Sequence, residues 1–271
     1  MSGIVKLIIF KRLTVTLLSL YLLSCAALAG ERKLVDLGRW SETELAEFIN
    51  SARQIDVPGE RIVALSQHFL DTPYVADTLI GGPDQAEQLV INLAGFDCFT
   101  LLDVIEALRR AADLADFSGQ LQQVRYRGGM LVYENRRHFF SDWVAGDAAR
   151  IADVTAAVGQ GRAQVVVKQL NLKRDGTYWL PGIPATRREI TYIPVRKFDQ
   201  NVLSALHAGD YVGIYSESKG LDVSHVGLIV KGKDRVMLRH ASSLSSVRRV
   251  IDVDLLEYLQ GKPGLVVYRV K

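Results

Sequence analysis

Cysteine is nearly absent: 271 residues carry only Cys25 and Cys98. Two such cysteines build no disulfide framework, and no Cys-x-x-Cys or His-x-x-x-His spacing favours a structural zinc. A membrane-spanning run is missing too. The apolar stretch Leu13–Leu23 falls short of the roughly 20 residues a spanning helix needs, and Lys6, Lys11 and Arg12 interrupt its extension back to Ile4. Excess charge is also lacking. There are 33 basic and 30 acidic residues, and removing Lys6, Lys11 and Arg12 leaves 30 of each. The pairs Arg136-Arg137 and Arg248-Arg249 are too short to be basic tracts, so no nucleic-acid footprint remains. No internal repeat and no Pro- or Ser-rich linker divides the chain after its first thirty residues. With 48% hydrophobic and 23% charged residues, the composition is that of an ordinary globular protein.

What is present begins with a leader. Lys6, Lys11 and Arg12, then Leu13–Leu23, then Ala27-Leu28-Ala29-Gly30 form a basic segment, an apolar segment and an A-x-A-like site. That order describes a secretory signal peptide over residues 1–29. Leu22-Leu23-Ser24-Cys25 offers the alternative of a lipoprotein signal with Cys25 acylated and anchoring the chain to a membrane. Export is expected either way, to the periplasm or, as a lipoprotein, to the outer membrane. Residues 30–271 are expected to form a single catalytic domain with an embellished middle.

After processing, Cys98 is the one thiol left. A lone thiol is either a buried small hydrophobe or a reactive group. Asp97 is a good N-cap, and Leu101, Leu102, Ile105 and Leu108 recur on one face of a helix from Cys98 to about Ala112. At the first helical position the free N–H groups and the helix dipole favour a thiolate, with Asp97 opposing slightly. The bland alternative packs Cys98 inward with the leucines. Ser41 with Glu42 and Glu44 opens an earlier helix, a second is expected over 58–70, and Ile80-Gly81-Gly82-Pro83 reads as a loop. From Gly209 the period changes to that of strands: Tyr211–Tyr215, Val223–Val230, Arg235–His240 and Leu265–Val270, with a short helix at Asp254–Leu259. Helices followed by an antiparallel sheet is an α+β arrangement.

A nucleophilic thiol needs a base, and the base needs an orienting partner. Of the five histidines, His225 and His240 are connected by spacing. A two-residue turn at Gly232-Lys233 pairs Val230 with Arg235 and sets His225 directly opposite His240, with Cβ atoms roughly 4.5–5.5 Å apart. His225, Gly227 and Ile229 share a face, and Gly227 leaves room there. Two chance histidines on a half-buried sheet, or a zinc site of Cys98, His225, His240 and a carboxylate, are the competing readings.

Several segments together resemble the NlpC/P60 superfamily. They are Asp71-Thr72-Pro73-Tyr74-Val75, Phe96-Asp97-Cys98-Phe99-Thr100, Gly209-Asp210, Leu221-Asp222-Val223-Ser224-His225-Val226-Gly227 and His240-Ala241-Ser242-Ser243. Asn135-Arg136-Arg137-His138-Phe139-Phe140-Ser141-Asp142-Trp143 resembles a signature of the DUF1460 branch, described as N-acetylmuramoyl-L-alanine amidase-like. The likeness spans roughly residues 60–270 and is loose over 144–200. It implies a papain-like fold with Cys98 as nucleophile, His225 as base and acid, and His240 as the orienting residue. Tyr74 would lie near the oxyanion. His138 and Asp142 would shape the substrate pocket or brace the fold, and Asp97, Asp222, Ser224 and Ser242 share that ambiguity. The implied substrate is peptidoglycan or a muropeptide, with no metal or other cofactor required. Residue chemistry alone does not choose the muramoyl-L-alanine bond over a γ-D-glutamyl bond, and a non-catalytic wall-binding module or a lipid acyltransferase are the readings from other classes.

Overall fold

The computed structural model describes residues 34–233 and 235–271. The signal peptide, its Ala29 site and Cys25 lie outside the described residues.

Helices come first in the chain. Ser41 closes a reciprocal capping box with Glu44 at the start of helix Glu42–Ala52, satisfying two N–H groups that the helix cannot. Pro58 opens helix Pro58–Gln67, where its missing N–H costs nothing. Each buries one stripe, Leu45, Phe48 and Ile49 in the first and Ile62 and Leu65 in the second. Both stripes join the core of helix Cys98–Arg110, which is buried continuously from Thr100 to Leu108.

The strands are β1 (Val35–Asp36), β2 (Ile80–Gly82), β3 (Gln85–Gln88), β4 (Ile91–Asn92), β5 (Ile151–Asp153), β6 (Gln164–Leu170), β7 (Thr186–Pro194), β8 (Tyr211–Tyr215), β9 (Val223–Lys231), β10 (Val236–Ala241), β11 (Val250–Asp254) and β12 (Gly264–Val270). Eight of them form one antiparallel sheet in the order β11-β10-β9-β8-β12-β7-β6, with β5 pairing the far end of β12. Period-two alternation divides this sheet into two apolar faces. Tyr211, Val226, Leu228 and Val266 meet the Cys98 helix. Val212, Ile214, Ile229, Leu238, Leu265 and Val267 meet Leu255 and Leu259 of the short helix Leu255–Leu259 and Val202 of helix Gln200–Ala205. The arrangement is α+β, as the order of periods suggests.

Two local expectations change. Ile80–Gly82, read as a loop, pairs with Gln85–Gln88 as a tight hairpin; the Gly and Pro signals mark its turn rather than an absence of strand. The β9–β10 hairpin turns later than the Gly232-Lys233 signal implies. Lys231 pairs with Val236, and the N–H of Gly232 donates to the carbonyl of Arg235 at 2.9 Å. The register therefore moves by two residues, which preserves the face of every side chain but changes its partner.

Charge ties the Cys98 helix to the sheet. Glu106 is fully buried, and its carboxylate accepts from Arg109 at 2.7 and 2.8 Å, Arg110 at 2.6 Å and the Tyr211 hydroxyl at 3.0 Å. Burial alone raises this carboxyl, but Arg109 and Arg110 overcome that and hold it below the ordinary range. Glu106→Ala leaves the Arg109 guanidinium without its counter-charge, while Arg110 keeps Asp147 at 2.7 Å, and is expected to lower the unfolding free energy by about 3 kcal/mol. Tyr211→Phe removes a single bond to a carboxylate and is expected to cost about 1.5–3 kcal/mol. Urea denaturation followed by circular dichroism measures both; a Glu106→Ala loss below about 1 kcal/mol would show the clamp to be dispensable.

Candidate active site

Cys98 stands at the first position of its helix, and the Asp97 carboxylate caps it by accepting from the N–H groups of Phe99 at 2.9 Å and Thr100 at 2.7 Å. Thr100 returns the bond to the N–H of Asp97 at 3.0 Å. The cap fixes the helix start, and it commits Asp97 to the backbone. Cys98 is half-buried and lines a cleft of about 330 Å³ together with His138, Asp222, Ser224 and His225.

His225 and His240 meet. Nε2 of His225 lies 2.7 Å from Nδ1 of His240, and the rings cross nearly perpendicular with centroids 4.8 Å apart. They are not directly opposed, as the two-residue turn would require. The observed register carries His240 opposite Gly227, so the two imidazoles approach along the diagonal of the ladder, a spacing that long flat side chains can bridge. Gly227 permits this: a Cβ there would stand 2.6 Å from the carbonyl of Arg239 and 3.1 Å from the Cβ of His240. Because Nε2 of His225 faces His240, Nδ1 is the nitrogen left for another partner. Nε2 of His240 is buried without a hydrogen-bond partner among the described residues.

Electrostatics run against the expectation of a resting thiolate. Burial, reinforced by the charge of Asp97, pushes the Cys98 thiol up to about 12, and the N–H groups of Val226, Cys98 and Phe99 pull it back only partly. Burial lowers His225 to about 3, with His240 and Lys262 adding to the effect, and lowers His240 to about 4 against the pull of Asp252. The helix terminus is outweighed by desolvation. Burial thus favours the neutral thiol and neutral imidazoles in the resting site.

The remaining residues singled out from sequence divide into two groups. Ser224 is exposed on the cleft wall. Tyr74 is half-buried close enough to feel the charge of Cys98, which together with burial raises its hydroxyl. His138 also lines the cleft, where its Nε2 lies 2.9 Å from the carbonyl of Tyr133. By contrast, Asp142 is spent on the N–H of Phe139 at 3.1 Å and on Arg188 at 3.0 Å. Asp222 borders the cleft, but its oxygens accept from the N–H groups of Ser141 at 2.7 Å and Val223 at 2.8 Å, pinning the start of β9. Ser242 is buried beside the sheet with its hydroxyl unpartnered among the described residues. Among the described residues, no three His, Cys, Asp or Glu side chains are grouped to hold a metal ion.

Sequence reasoning missed two aromatics. Tyr258 packs on both imidazoles, with centroids 5.0 Å from His240 and 6.0 Å from His225. Trp179 and its neighbour Leu180 form the cleft wall opposite the catalytic-type side chains. Neither lies in a motif; only the tertiary packing of a short helix and a loop brings them there.

Residues 64–265 match the model of the AmiA-like family, described as N-acetylmuramoyl-L-alanine amidase-like. The chain belongs to this family. It is similar to an N-acetylmuramoyl-L-alanine amidase of Bacteroides uniformis, at 28% identity over 79% of this chain and 99% of that one, with a TM-score of 0.68. A Legionella pneumophila protein carrying the DUF1460 family model shares the fold at 21% identity, over 84% of this chain and 94% of that one, with a TM-score of 0.71. No curated protein matches the sequence.

The neutral histidines of this amidase-like chain have a measurable consequence. Their folded values lie below the ordinary 6.5, so on acidification the unfolded chain takes up protons first. Stability is therefore present above about pH 6.5 and is lost as pH falls toward 4 and 3, by up to roughly 1.4 kcal/mol per pH unit for each group. Denaturant midpoints at pH 7 and pH 4.5 are expected to differ strongly in the wild type and less in a His225→Gln/His240→Gln variant. Equal acid sensitivity in both would contradict buried neutral imidazoles.

Proposed function

We propose that the chain is a cysteine amidase of peptidoglycan or muropeptides, cutting the bond between N-acetylmuramic acid and L-alanine through a thioester. The observation that carries this reading is the convergence on one cleft of a thiol at a helix start and an imidazole whose far nitrogen is held by a second imidazole. Family membership points to the substrate. A papain-like NlpC/P60 fold is the architecture this supports, with the thiol helix packed on the sheet that bears the base.

In this reading His225 donates its Nε2–H to Nδ1 of His240, which keeps Nδ1 of His225 free as the base. Nδ1 takes the thiol proton as sulfur attacks the amide carbonyl, and the same proton passes to the departing amine of L-alanine. Water, deprotonated by His225, then attacks the thioester; the carboxylate product leaves and the thiol is restored. Asp97 already occupies the N–H groups of Phe99 and Thr100. The N–H of Cys98 and the hydroxyl of Tyr74 are thus the donors assigned to the oxyanion. A neutral resting pair suits a buried cleft, since separated charge appears only as the transition state forms. We further assign residues 1–29 to export, with cleavage after Ala29 or acylation at Cys25 as the two routes, and the mature chain to the periplasm or the outer membrane.

Digestion of purified muropeptides followed by mass spectrometry tests the assignment. Wild type is expected to separate muramic acid from an L-alanine-led peptide, and Cys98→Ala to release none. His225→Ala is expected to lose about 10²–10⁴-fold in kcat. His240→Ala, which frees the His225 ring to turn, is expected to fall less far, with His240→Asn restoring part of the loss. A cut inside the peptide stem would keep the site and change the bond. Undiminished cleavage by Cys98→Ala would refute the thiol mechanism.

A further inference from the structure

A second pocket, of about 470 Å³, lies beside the candidate cleft and is lined by Lys168, Lys173, Arg174 and Lys219. Two chain segments line both places. Leu172–Gly176 borders the pocket, and its continuation Trp179-Leu180 borders the cleft; Lys219-Gly220 borders the pocket, and Leu221–Val226 the cleft. Trp179 lines the cleft and touches the loop that runs on from the second pocket. Its indole N–H donates to the carbonyl of Lys219 at 3.0 Å, the ammonium of Lys173 sits 4.9 Å from its ring centroid, and its Cδ1–Nε1 edge abuts Gly220. At Gly220 φ is +84°, and a Cβ would stand 2.8 Å from the indole, so only glycine allows the indole to close down on the loop.

Charge in this pocket is one-sided. Glu217 is the acidic residue on its lining, and Asp175, on the adjoining rim, is occupied by Thr177 at 2.7 and 3.0 Å. Lys168 spends its ammonium on the carbonyls of Ser216, Ser218 and Leu221, which braces the loop carrying Lys219. Lys173, Arg174 and Lys219 form no ion pair among the described residues. Three cations around one concavity, of which Lys173 stands close enough to feel the Asp175 carboxylate, attract a polyanionic ligand. The lining of the cleft carries no lysine or arginine to meet such a group.

Resting on the amidase reading, we propose that this pocket is the subsite for the carboxylates of the substrate's peptide. Lys173, Arg174 and Lys219 hold the acidic stem while Trp179 lies along it and the scissile amide reaches Cys98. Charge recognition is thereby kept apart from the dry cleft where a neutral thiol and imidazole react.

The probe is N-acetylmuramoyl-L-Ala-γ-D-Glu-L-Lys, compared with forms amidated at the glutamyl α-carboxylate, at the C-terminal carboxylate, and at both. Calorimetry with the full chain carrying Cys98→Ala reads binding without turnover. The parent is expected to bind about tenfold more tightly than the double amide, by a gap that narrows with added salt. Adding Lys173→Gln and Lys219→Gln is expected to reduce the gap below twofold, and adding Lys173→Arg and Lys219→Arg to keep it. The single amides identify which carboxylate enters. Equal affinity for parent and double amide, or a gap unchanged by the glutamine pair, overturns the subsite. Cleavage of the parent by wild type is read separately: discrimination without cleavage keeps the subsite and overturns the amidase reading.

Discussion

A helix buried on nearly every side has no solvent in which to leave its charges, and this constraint governs the structure around Cys98. From Thr100 to Leu108 the helix has no exposed position, so Asp103 and Glu106 must find partners inside. Asp103 pairs with Arg125 at 3.0 Å and Glu106 with Arg109, Arg110 and Tyr211. Leucines alone would let the helix slide or rotate on the sheet at small cost. Directional bonds to Tyr211 on β8 and to Arg125 on the next helix permit one position. Since Cys98 is the first residue of that same rigid body, its location relative to β9 follows from contacts about one and two turns away.

The sheet imposes the complementary constraint. His225 and His240 must share a face to touch, which requires an even offset in the β9–β10 register and tolerates either of two pairings. The observed hairpin is displaced by two residues from the tightest turn the sequence offers, and contact survives because position 227 is glycine. A side chain at 227 would occupy the space through which His240 reaches across. The glycine is therefore a requirement of the diagonal geometry. Tyr258, on the helix between β11 and β12, then packs against both rings of the pair.

Much of this was legible in the residues because it is locally encoded. Ser41, Pro58 and Asp97 announce helix starts through chemistry confined to one turn, and β8, β9, β10 and β12 show their period within a few residues. The helix-first, sheet-second order sufficed for the α+β class. The hairpin register was less legible: Gly232-Lys233 is a good turn, but the pairing of Lys231 with Val236 leaves a wider loop than turn chemistry alone selects. The direction of the thiol's pKa was misread for a related reason. A helix terminus is visible in sequence, whereas the desolvation that outweighs it comes from burial, which only the packed fold imposes on Cys98. Trp179 and Tyr258 carry no pattern at all. Each sits in a loop or a one-turn helix, and its relevance exists only in three dimensions.

Desolvation also decides how such a site can handle a charged substrate. In a cleft dry enough to hold both histidines neutral, a nearby lysine would lower them further, as Lys262 already does slightly for His225, and would stabilise a resting thiolate at the expense of the base. A carboxylate delivered into the same space would do the reverse, raising the histidines and opposing formation of the anionic tetrahedral intermediate. Both penalties fall with distance and with solvent screening. In the proposed arrangement Lys173, Arg174 and Lys219, on segments that continue into the cleft, would act on the stem while standing outside the lining of the cleft that holds Cys98 and His225. If the proposed thiol mechanism and acidic stem subsite hold, a separation of the two pockets is what their electrostatics favours.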